Sequence, residues 1–357
     1  MRVGAGDGSP SVPDPECTRW IPLPHSCLAV LGLPWFKETS PDLVRLPCRL
    51  EHVLRPGLWE LARCPSGGRL RFATDSEFLA VRVRFGELGF MPNMPRLAQA
   101  GLDLYVDQRY YRTVYPAQAG ESMLTLAESL PRQPGLRVVD VYLPLYQPVD
   151  LLAMRLSADA HVALCPPLLR CAPVVFYGSS ITQGACASRP GLAYPALIGR
   201  QLGIDHVNLG FSGQGKGDLP VAEAIAEIDA AAVVLDYGVN CESAIALRAV
   251  YGCFLRTLRA ARPRLPIVCV TPLYSARERW SDPDRSRLEG LRAVVREAVE
   301  RERTFGVGPL ELVEGESLLG TDDEDGLADA SHPNDLGFTR IAERLAPTIA
   351  RYVALSG

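Results

Sequence analysis

The stretch that decides the fold of the second half of this chain is Val174-Val175-Phe176-Tyr177-Gly178-Ser179-Ser180-Ile181-Thr182-Gln183-Gly184. Four apolar residues followed at once by glycine and two serines are typical of a buried strand that ends in a sharp bend. A serine in such a place is either the cap of the next helix or a nucleophile. Because Ser180 lacks a glycine two residues on, it does not match the Gly-x-Ser-x-Gly elbow of ordinary α/β-hydrolases.

The pattern that starts here, a strand followed by a loop and a helix, repeats to the end of the chain. Fully apolar strands that alternate with amphipathic helices predict a parallel sheet covered on both faces. In such sheets, function gathers in the loops beyond the carboxyl ends of the strands. The predicted strands are Val174–Tyr177, Val207–Leu209, Ala232–Tyr237, Ile267–Thr271 and the weaker Leu310–Val313, and the predicted helices are Ala193–Leu202, Ser243–Ala261, Arg285–Arg303 and Gly337–Tyr352.

The first half has a different sequence pattern, in which short strand-like runs are separated by proline and glycine. Leu79–Phe85 alternates apolar and polar residues with period two, and Gly101–Asp107 and Val138–Leu143 do much the same. Such runs predict half-buried strands in an antiparallel β-sandwich. A chain of 357 residues is also too long for one ordinary core. We therefore predict two domains, a β-sandwich over residues 1–170 and an α/β domain over residues 171–357.

Composition excludes several classes of function. The net charge of −4 and the presence of only two lysines give no basic surface for nucleic acid or an anionic membrane. The N-terminus lacks the apolar core of a secretion signal, which predicts a cytoplasmic protein. The ten cysteines are irregularly spaced and form no Cys-x-x-Cys pair, so we expect buried free thiols and no metal site.

Two further loops after predicted strands carry polar or glycine-rich sequence. Asn208–Gly215 contains three glycines, which form a flexible turn or let backbone N–H groups approach an oxyanion. Asn240 follows the strand that ends at Tyr237, where it is either a turn former or a side-chain oxyanion donor.

His332 differs from the other four histidines because a carboxylate stands three residues before it. Asp329 at that spacing can hold one imidazole nitrogen while the other faces a serine, as catalysis by a Ser-His-Asp triad requires. The acidic run from Asp322 to Asp325 reads as a solvated loop, and Asp325 is the fallback acid.

Together these four segments resemble the GDSL or SGNH hydrolase family, whose name-giving residues lie in four separate blocks. The resemblance covers roughly residues 172–353 and implies a three-layer α/β fold. It assigns the nucleophile to Ser180, the base to His332 with Asp329 as its acid, and the oxyanion hole to Gly213 and Asn240 with the backbone of Ser180.

Two positions depart from the family pattern, since Ser179 stands where aspartate is usual and Cys241 follows Asn240. They indicate a variant branch. Members with a Gly-Ser-Ser-Ile-Thr-Gln-Gly loop carry an N-terminal β-sandwich resembling a carbohydrate-binding module, and an acyltransferase of antibiotic biosynthesis is among them.

The resemblance and the absence of a leader lead us to expect acyl transfer. The expected reaction moves an acyl group from a thioester such as acyl-CoA to a hydroxyl of a polyketide-type small molecule, with no bound cofactor. One form of this expectation makes the acyl group aromatic and salicylyl-like. The alternatives are an intracellular esterase acting on acylated sugars or glycosides, and a binding protein with a degenerate hydrolase domain. Expected substrate contacts are Met91, Asn93 and Met94 on a lid-like segment, and Lys216 facing an anionic donor.

Overall fold

Two kinds of sheet build the molecule, antiparallel before residue 165 and parallel after residue 172. The structure is a computed structural model that describes residues 17–131, 133–165, 172–306 and 308–353. The predicted division into residues 1–170 and 171–357 falls at this change of sheet type, but it stays a prediction.

The first part is a β-sandwich, as predicted. One sheet has the order β1-β9-β4-β7 and the other has the order β10-β3-β8-β5-β6, with β2 paired to β3. Three short helices lie in its connections. The elements are β1 (Thr18–Pro22), β2 (Ala29–Leu31), α1 (Phe36–Thr39), α2 (Pro56–Ala62), β3 (Arg69–Thr74), β4 (Leu79–Phe85), α3 (Arg96–Gln99), β5 (Leu102–Val106), β6 (Arg109–Val114), β7 (Gly120–Ala127), β8 (Arg137–Tyr142), β9 (Val149–Ser157) and β10 (Val162–Ala163).

Burial in the sandwich follows the alternation of the sequence in one strand and departs from it in two others. In β4 the side chains of Arg82 and Arg84 are exposed while their apolar neighbours are buried, as period two predicts. In β5 and β8, however, the polar positions Asp103 and Asp140 are buried as well. Both faces of these strands are covered, because the α/β part packs against the face that the sequence predicted to be solvated.

The second part is the predicted three-layer α/β fold. Its five strands are all parallel, in the order β12-β11-β13-β14-β15. Side chains of α6, α7 and α8 pack on one face, and side chains of α5 and α10 pack on the other. The elements are β11 (Val174–Gly178), α4 (Ser180–Gln183), α5 (Tyr194–Leu202), β12 (His206–Gly210), α6 (Leu219–Glu227), β13 (Ala232–Asp236), α7 (Ala244–Ala261), β14 (Ile267–Val270), α8 (Asp282–Arg303), β15 (Leu310–Val313), α9 (Gly315–Leu318) and α10 (Asp335–Val353).

The predicted strands and helices of this part are confirmed to within three residues, and three helices, α4, α6 and α9, were not predicted. Helix α8 begins at Asp282 rather than Arg285 because Ser281 caps it by accepting a hydrogen bond from the N–H of Asp284. Helix α6 was not predicted because only two of its nine residues, Glu223 and Glu227, are polar, so its sequence shows little amphipathic contrast.

A continuous core joins the two parts. Trp35, Leu46, Leu58 and Trp59, which precede β3, pack in the same hydrophobic cluster as strands β11 and β12. The nine described cysteines are all free thiols, as expected, but the expected burial holds for only five of them, since one is half-buried and Cys17, Cys48 and Cys253 are exposed. Among the described residues, no helix has the length and apolar character needed to cross a membrane.

Candidate active site

Ser180 stands at the first turn of α4, directly beyond the carboxyl end of β11. The hydroxyl of Ser179 caps this short helix by accepting a hydrogen bond from the N–H of Ile181 at 3.2 Å. Gly178 is required before the bend, because a Cβ there would lie 1.9 Å from the Thr182 hydroxyl. Ser179 therefore supplies the local cap where aspartate is usual in the family, and Ser180 presents its hydroxyl to the neighbouring loops.

His332 and Asp329 complete a hydrogen-bonded chain with Ser180. The Oγ of Ser180 lies 3.0 Å from Nε2 of His332, and Nδ1 of the same imidazole lies 2.9 Å from Oδ2 of Asp329. The backbone N–H of His332 also donates to Oδ1 of Asp329 at 2.9 Å. The structure thus brings together the three residues that the sequence singled out. Asp325, the fallback acid, is exposed on the preceding segment.

The carboxyl group of Asp329 is held in its ionised form. Burial alone would raise its pKa, but hydrogen bonds from Asn93 and the His332 backbone, together with the adjacent imidazole, lower the pKa to about 2. An ionised carboxylate only accepts hydrogen bonds, so Nδ1 of His332 must carry the proton. This leaves Nε2 as the acceptor for the hydroxyl proton of Ser180.

The glycine loop after β12 approaches the same edge of the sheet. Gly213 lies at φ +64° and is exposed, in a backbone conformation that favours glycine. The amide of Asn240 donates to the carbonyl oxygens of Phe211 at 3.1 Å and Gly215 at 3.0 Å. In this structure Asn240 clamps the glycine loop from both sides, so donation to an oxyanion requires it to share one of these hydrogen bonds.

Two arginines from the first part of the chain brace this loop, and neither was predicted from the sequence as part of the site. The fully buried Arg45 donates to the carbonyls of Asn208 at 3.0 Å and Gly210 at 2.6 Å, and its guanidinium lies 4.4 Å from the centre of the Phe211 ring. Burial lowers the pKa of Arg45 to about 10. Arg55 donates to the backbone carbonyl of Gln214 at 2.6 Å and forms an ion pair with Asp218 at 2.8 Å.

The expected substrate contacts are found in varied surroundings. Met94 is buried in the core, and Met91 packs against the same cluster. Asn93 donates to Oδ2 of Asp329 at 2.8 Å. Lys216 lies 3.5 Å from Glu242, which reduces the charge it offers to an anionic donor. Contact of these four residues with substrate stays a prediction.

The described residues contain one group with metal-ligand chemistry, formed by Cys186, Asp329 and His332. Their ligand atoms lie within 4.8 Å of one another. The hydrogen bonds already described account for the carboxylate and the imidazole. Burial, followed by the neighbouring carboxylate, raises the pKa of Cys186 to about 12, so its sulfur is kept as a thiol. We therefore assign no metal to this group.

Comparison with known proteins identifies the class that this fold and site define. Residues 171–350 match the GDSL-like lipase/acylhydrolase family, and residues 18–162 match the GxDLY model, described as the N-terminus of SGNH-hydrolase-type esterases. The chain belongs to the GDSL-like lipase/acylhydrolase family. Among curated proteins, no sequence matches it significantly.

Solved structures share both parts of the molecule. A protein from Bacteroides ovatus described as a GDSL-like lipase is 31% identical, with 94% of this chain and 98% of that chain covered and a TM-score of 0.86. The salicylyl-acyltransferase SsfX3 from a tetracycline biosynthetic pathway is 24% identical over 95% of this chain and 99% of its own, with a TM-score of 0.81. A family two carbohydrate esterase from Clostridium thermocellum is 18% identical over 81% and 93%, with a TM-score of 0.63. The last two support the fold alone.

The GxDLY description also points to a motif in a segment that the sequence predicted only to be a strand. Residues Gly101-Leu102-Asp103-Leu104-Tyr105 spell it out. Asp103 accepts hydrogen bonds from Arg189 at 2.9 Å and from the N–H of Gly191 at 2.8 Å, both on the loop that follows the Ser180 helix. The motif therefore docks the sandwich on the α/β part. An aspartate inside an otherwise apolar strand was the signal that could have revealed it.

Proposed function

We propose that the protein cleaves carboxylic esters or thioesters through an acyl-enzyme formed on Ser180. The observation that carries this proposal is the hydrogen-bonded chain from Ser180 through His332 to Asp329, at 3.0 and 2.9 Å. Such a chain removes the serine proton as the oxygen attacks and stabilises the resulting imidazolium. Membership of the acylhydrolase family supports the same chemistry.

The acylation step follows from the protonation states of the site. Ser180 Oγ attacks the carbonyl carbon while its proton moves to Nε2 of His332, and the carbonyl oxygen becomes an oxyanion. The N–H groups of Ser180 and Gly213 and the amide of Asn240 are the proposed donors to that oxygen. When the tetrahedral intermediate collapses, the bond to the leaving group breaks and His332 returns its proton to that group. Asp329 stays ionised throughout.

Deacylation decides between two outcomes. Attack by water gives an esterase, and attack by a bound hydroxyl gives an acyltransferase. Transfer is the second candidate, favoured because SsfX3, named as a salicylyl-acyltransferase, superposes on this chain through both the sandwich and the α/β part. A bound acceptor competes with water because its effective concentration is high. Acyl-CoA as the donor, a polyketide-type acceptor and a place in antibiotic biosynthesis remain proposals that rest on this likeness.

The first experiment tests the nucleophile. Wild type and Ser180→Ala are treated with a fluorophosphonate probe and measured by intact-protein mass spectrometry, with Ser179→Ala as the matched control. We expect one adduct on wild type and on Ser179→Ala, and none on Ser180→Ala. A label that persists on Ser180→Ala would refute the proposal, and a wild type that takes no label would favour the binding protein with a degenerate site.

The second experiment separates the two outcomes. Wild type is acetylated with 4-nitrophenyl acetate or acetyl-CoA in the presence of increasing concentrations of small alcohols and phenols. Transfer predicts new esters whose yield rises with acceptor and approaches the yield of 4-nitrophenol or free thiol released. Hydrolysis predicts acetate as the sole acyl product at every acceptor concentration.

A further inference from the structure

The carboxylate of Asp329 has a donor that comes from the other part of the chain. Its Oδ1 accepts from the backbone N–H groups of Ser331 at 3.2 Å and His332 at 2.9 Å, both within its own loop. Its Oδ2, in contrast, accepts from Nδ2 of Asn93 at 2.8 Å, a residue 236 positions away in the β-sandwich part. The thiol of Cys186 lies 3.9 Å from the same oxygen. Of these two groups, the Asn93 amide is the one that lies at normal hydrogen-bond distance, and it holds Oδ2 beside the imidazole.

The segment that carries Asn93 is braced on both sides of it. Gln99, which is buried, accepts from the N–H of Met91 at 3.2 Å and donates to the carbonyls of Met91 at 3.3 Å and Met94 at 2.7 Å. Met94 is itself buried in the core. Asn93 thus stands between two anchored residues, and its amide is preorganised for Asp329 rather than recruited from a free surface loop.

We propose that Asn93 is a positioning residue for the acylation reaction, through which the β-sandwich fixes the carboxylate that orients His332. This inference rests on the proposed function and adds a fourth member to the hydrogen-bonded chain. It also replaces the role expected from the sequence, in which Asn93 touches substrate. Asn93 acts on the reacting atoms only through Asp329 and His332.

Loss of the Asn93 amide is expected to slow the reaction because it changes the geometry of the triad. Asp329 is partly exposed, with 30% of its side chain accessible, so loss of the Asn93 amide lets water compete for Oδ2 and lets the carboxylate rotate. His332 would then lose its fixed orientation toward Ser180, although all three residues of the triad are still present. Misplacement of a catalytic group by about 1 Å can cost on the order of a hundredfold in rate.

The central test compares Asn93→Ala with wild type in steady-state hydrolysis of 4-nitrophenyl acetate. A positioning role predicts that kcat falls about ten- to a hundredfold while KM stays within about twofold. A substrate contact predicts the opposite split, in which KM rises and kcat is kept. Arg96→Ala is the matched control, since Arg96 is exposed three residues further on. It should behave as wild type.

A second variant tests how a charge at position 93, beside Asp329, affects the imidazole of His332. Asn93→Asp places a second carboxylate against Asp329, which favours protonated imidazole, so the acid limb of kcat/KM should move to higher pH by about one unit. A merely structural loop residue would leave that limb in place. Asn93→Ser, whose hydroxyl is too short to reach Asp329, supplies the kcat comparison if Asn93→Ala does not fold.

The outcomes separate this inference from the proposed function. If Ser180 takes the fluorophosphonate label but Asn93→Ala or Asn93→Ser keeps full kcat, the positioning role is wrong and the acyl-serine chemistry stands. A rise in KM with unchanged kcat would also overturn it in favour of a substrate contact. If Ser180 takes no label, the proposed function fails and Asn93 has no triad to position.

Discussion

Arg189 Nη1 lies 2.9 Å from Oδ2 of Asp103, and this contact joins the loop after the nucleophile helix to a central strand of the β-sandwich. The Asp103 side chain is fully buried, and it also accepts from the Thr113 hydroxyl at 2.7 Å. The guanidinium of Arg189 lies 3.8 Å from the centre of the Tyr110 ring. Sandwich and active-site loop are therefore held together by a hydrogen-bonded ion pair whose carboxylate is fully buried, and not by apolar packing alone.

We expect Asp103→Ala to destabilise the protein strongly, since it leaves the Arg189 charge without its buried partner. Breaking one side of a buried pair costs about 3–5 kcal/mol. The measurement is the free energy of unfolding from urea titration. Asp150→Ala is the matched control, because Asp150 is exposed and lies 3.8 Å from the exposed Arg84, a contact worth about 1 kcal/mol or less. Equal effects of the two substitutions would contradict this assignment.

The choice of triad acid is tested by two substitutions of the same kind. Asp329→Asn keeps the shape of the side chain but replaces an acceptor of the Nδ1 proton, so kcat should fall on the order of 10³–10⁴-fold. Asp325→Asn should leave kcat within about twofold, because that carboxylate is exposed and contacts neither Ser180 nor His332 among the described hydrogen bonds. The reverse ranking of the two variants would assign the acid to Asp325.

Asn240→Ala tests the proposed side-chain donor of the oxyanion hole. We expect kcat to fall about a hundredfold with little change in KM, because the amide would act on charge that develops in the transition state. The same substitution removes both hydrogen bonds that clamp the glycine loop. Gln201→Ala, an exposed amide on α5, is the control and should keep wild-type turnover. An unchanged kcat for Asn240→Ala would remove this residue from the oxyanion hole.

Local patterns were enough to predict the α/β fold and the residues at the carboxyl ends of its strands. The residues that surround Ser180 and His332 in the sequence were enough to single out each of them as a member of the site. The partners that act across the two parts were not predictable in this way. The contacts of Asn93 with Asp329 and of Arg45 with Gly210 span 236 and 165 residues, and periodicity within a window carries no information about them. The alternation of the strand predicted that Asp103 is solvated, and this was wrong because the loop that covers it is 86 residues away in the sequence.

Asp236 gives a prediction about pH that is independent of the triad. It ends β13 beneath the Ser180 helix, where it accepts from the Thr182 hydroxyl at 3.1 Å and lies 3.4 Å from the Tyr194 hydroxyl. Burial raises the pKa of Asp236 to about 7, and these two hydrogen bonds offset only part of that rise. The folded protein therefore retains a proton that the unfolded chain loses at about pH 4.

The sign of the effect follows from proton linkage. Between about pH 4 and pH 7 the folded state binds more protons at Asp236 than the unfolded state, so this group lowers the free energy of unfolding as pH rises. Asp236→Asn stays neutral at every pH, and it should unfold at a higher urea concentration than wild type at pH 8 but at nearly the same concentration at pH 4.5. Asp229→Asn, which alters an exposed carboxylate, should show no such pH-dependent gain. A gain for Asp236→Asn that is equal at both pH values would show that Asp236 is ionised in the folded protein throughout this range.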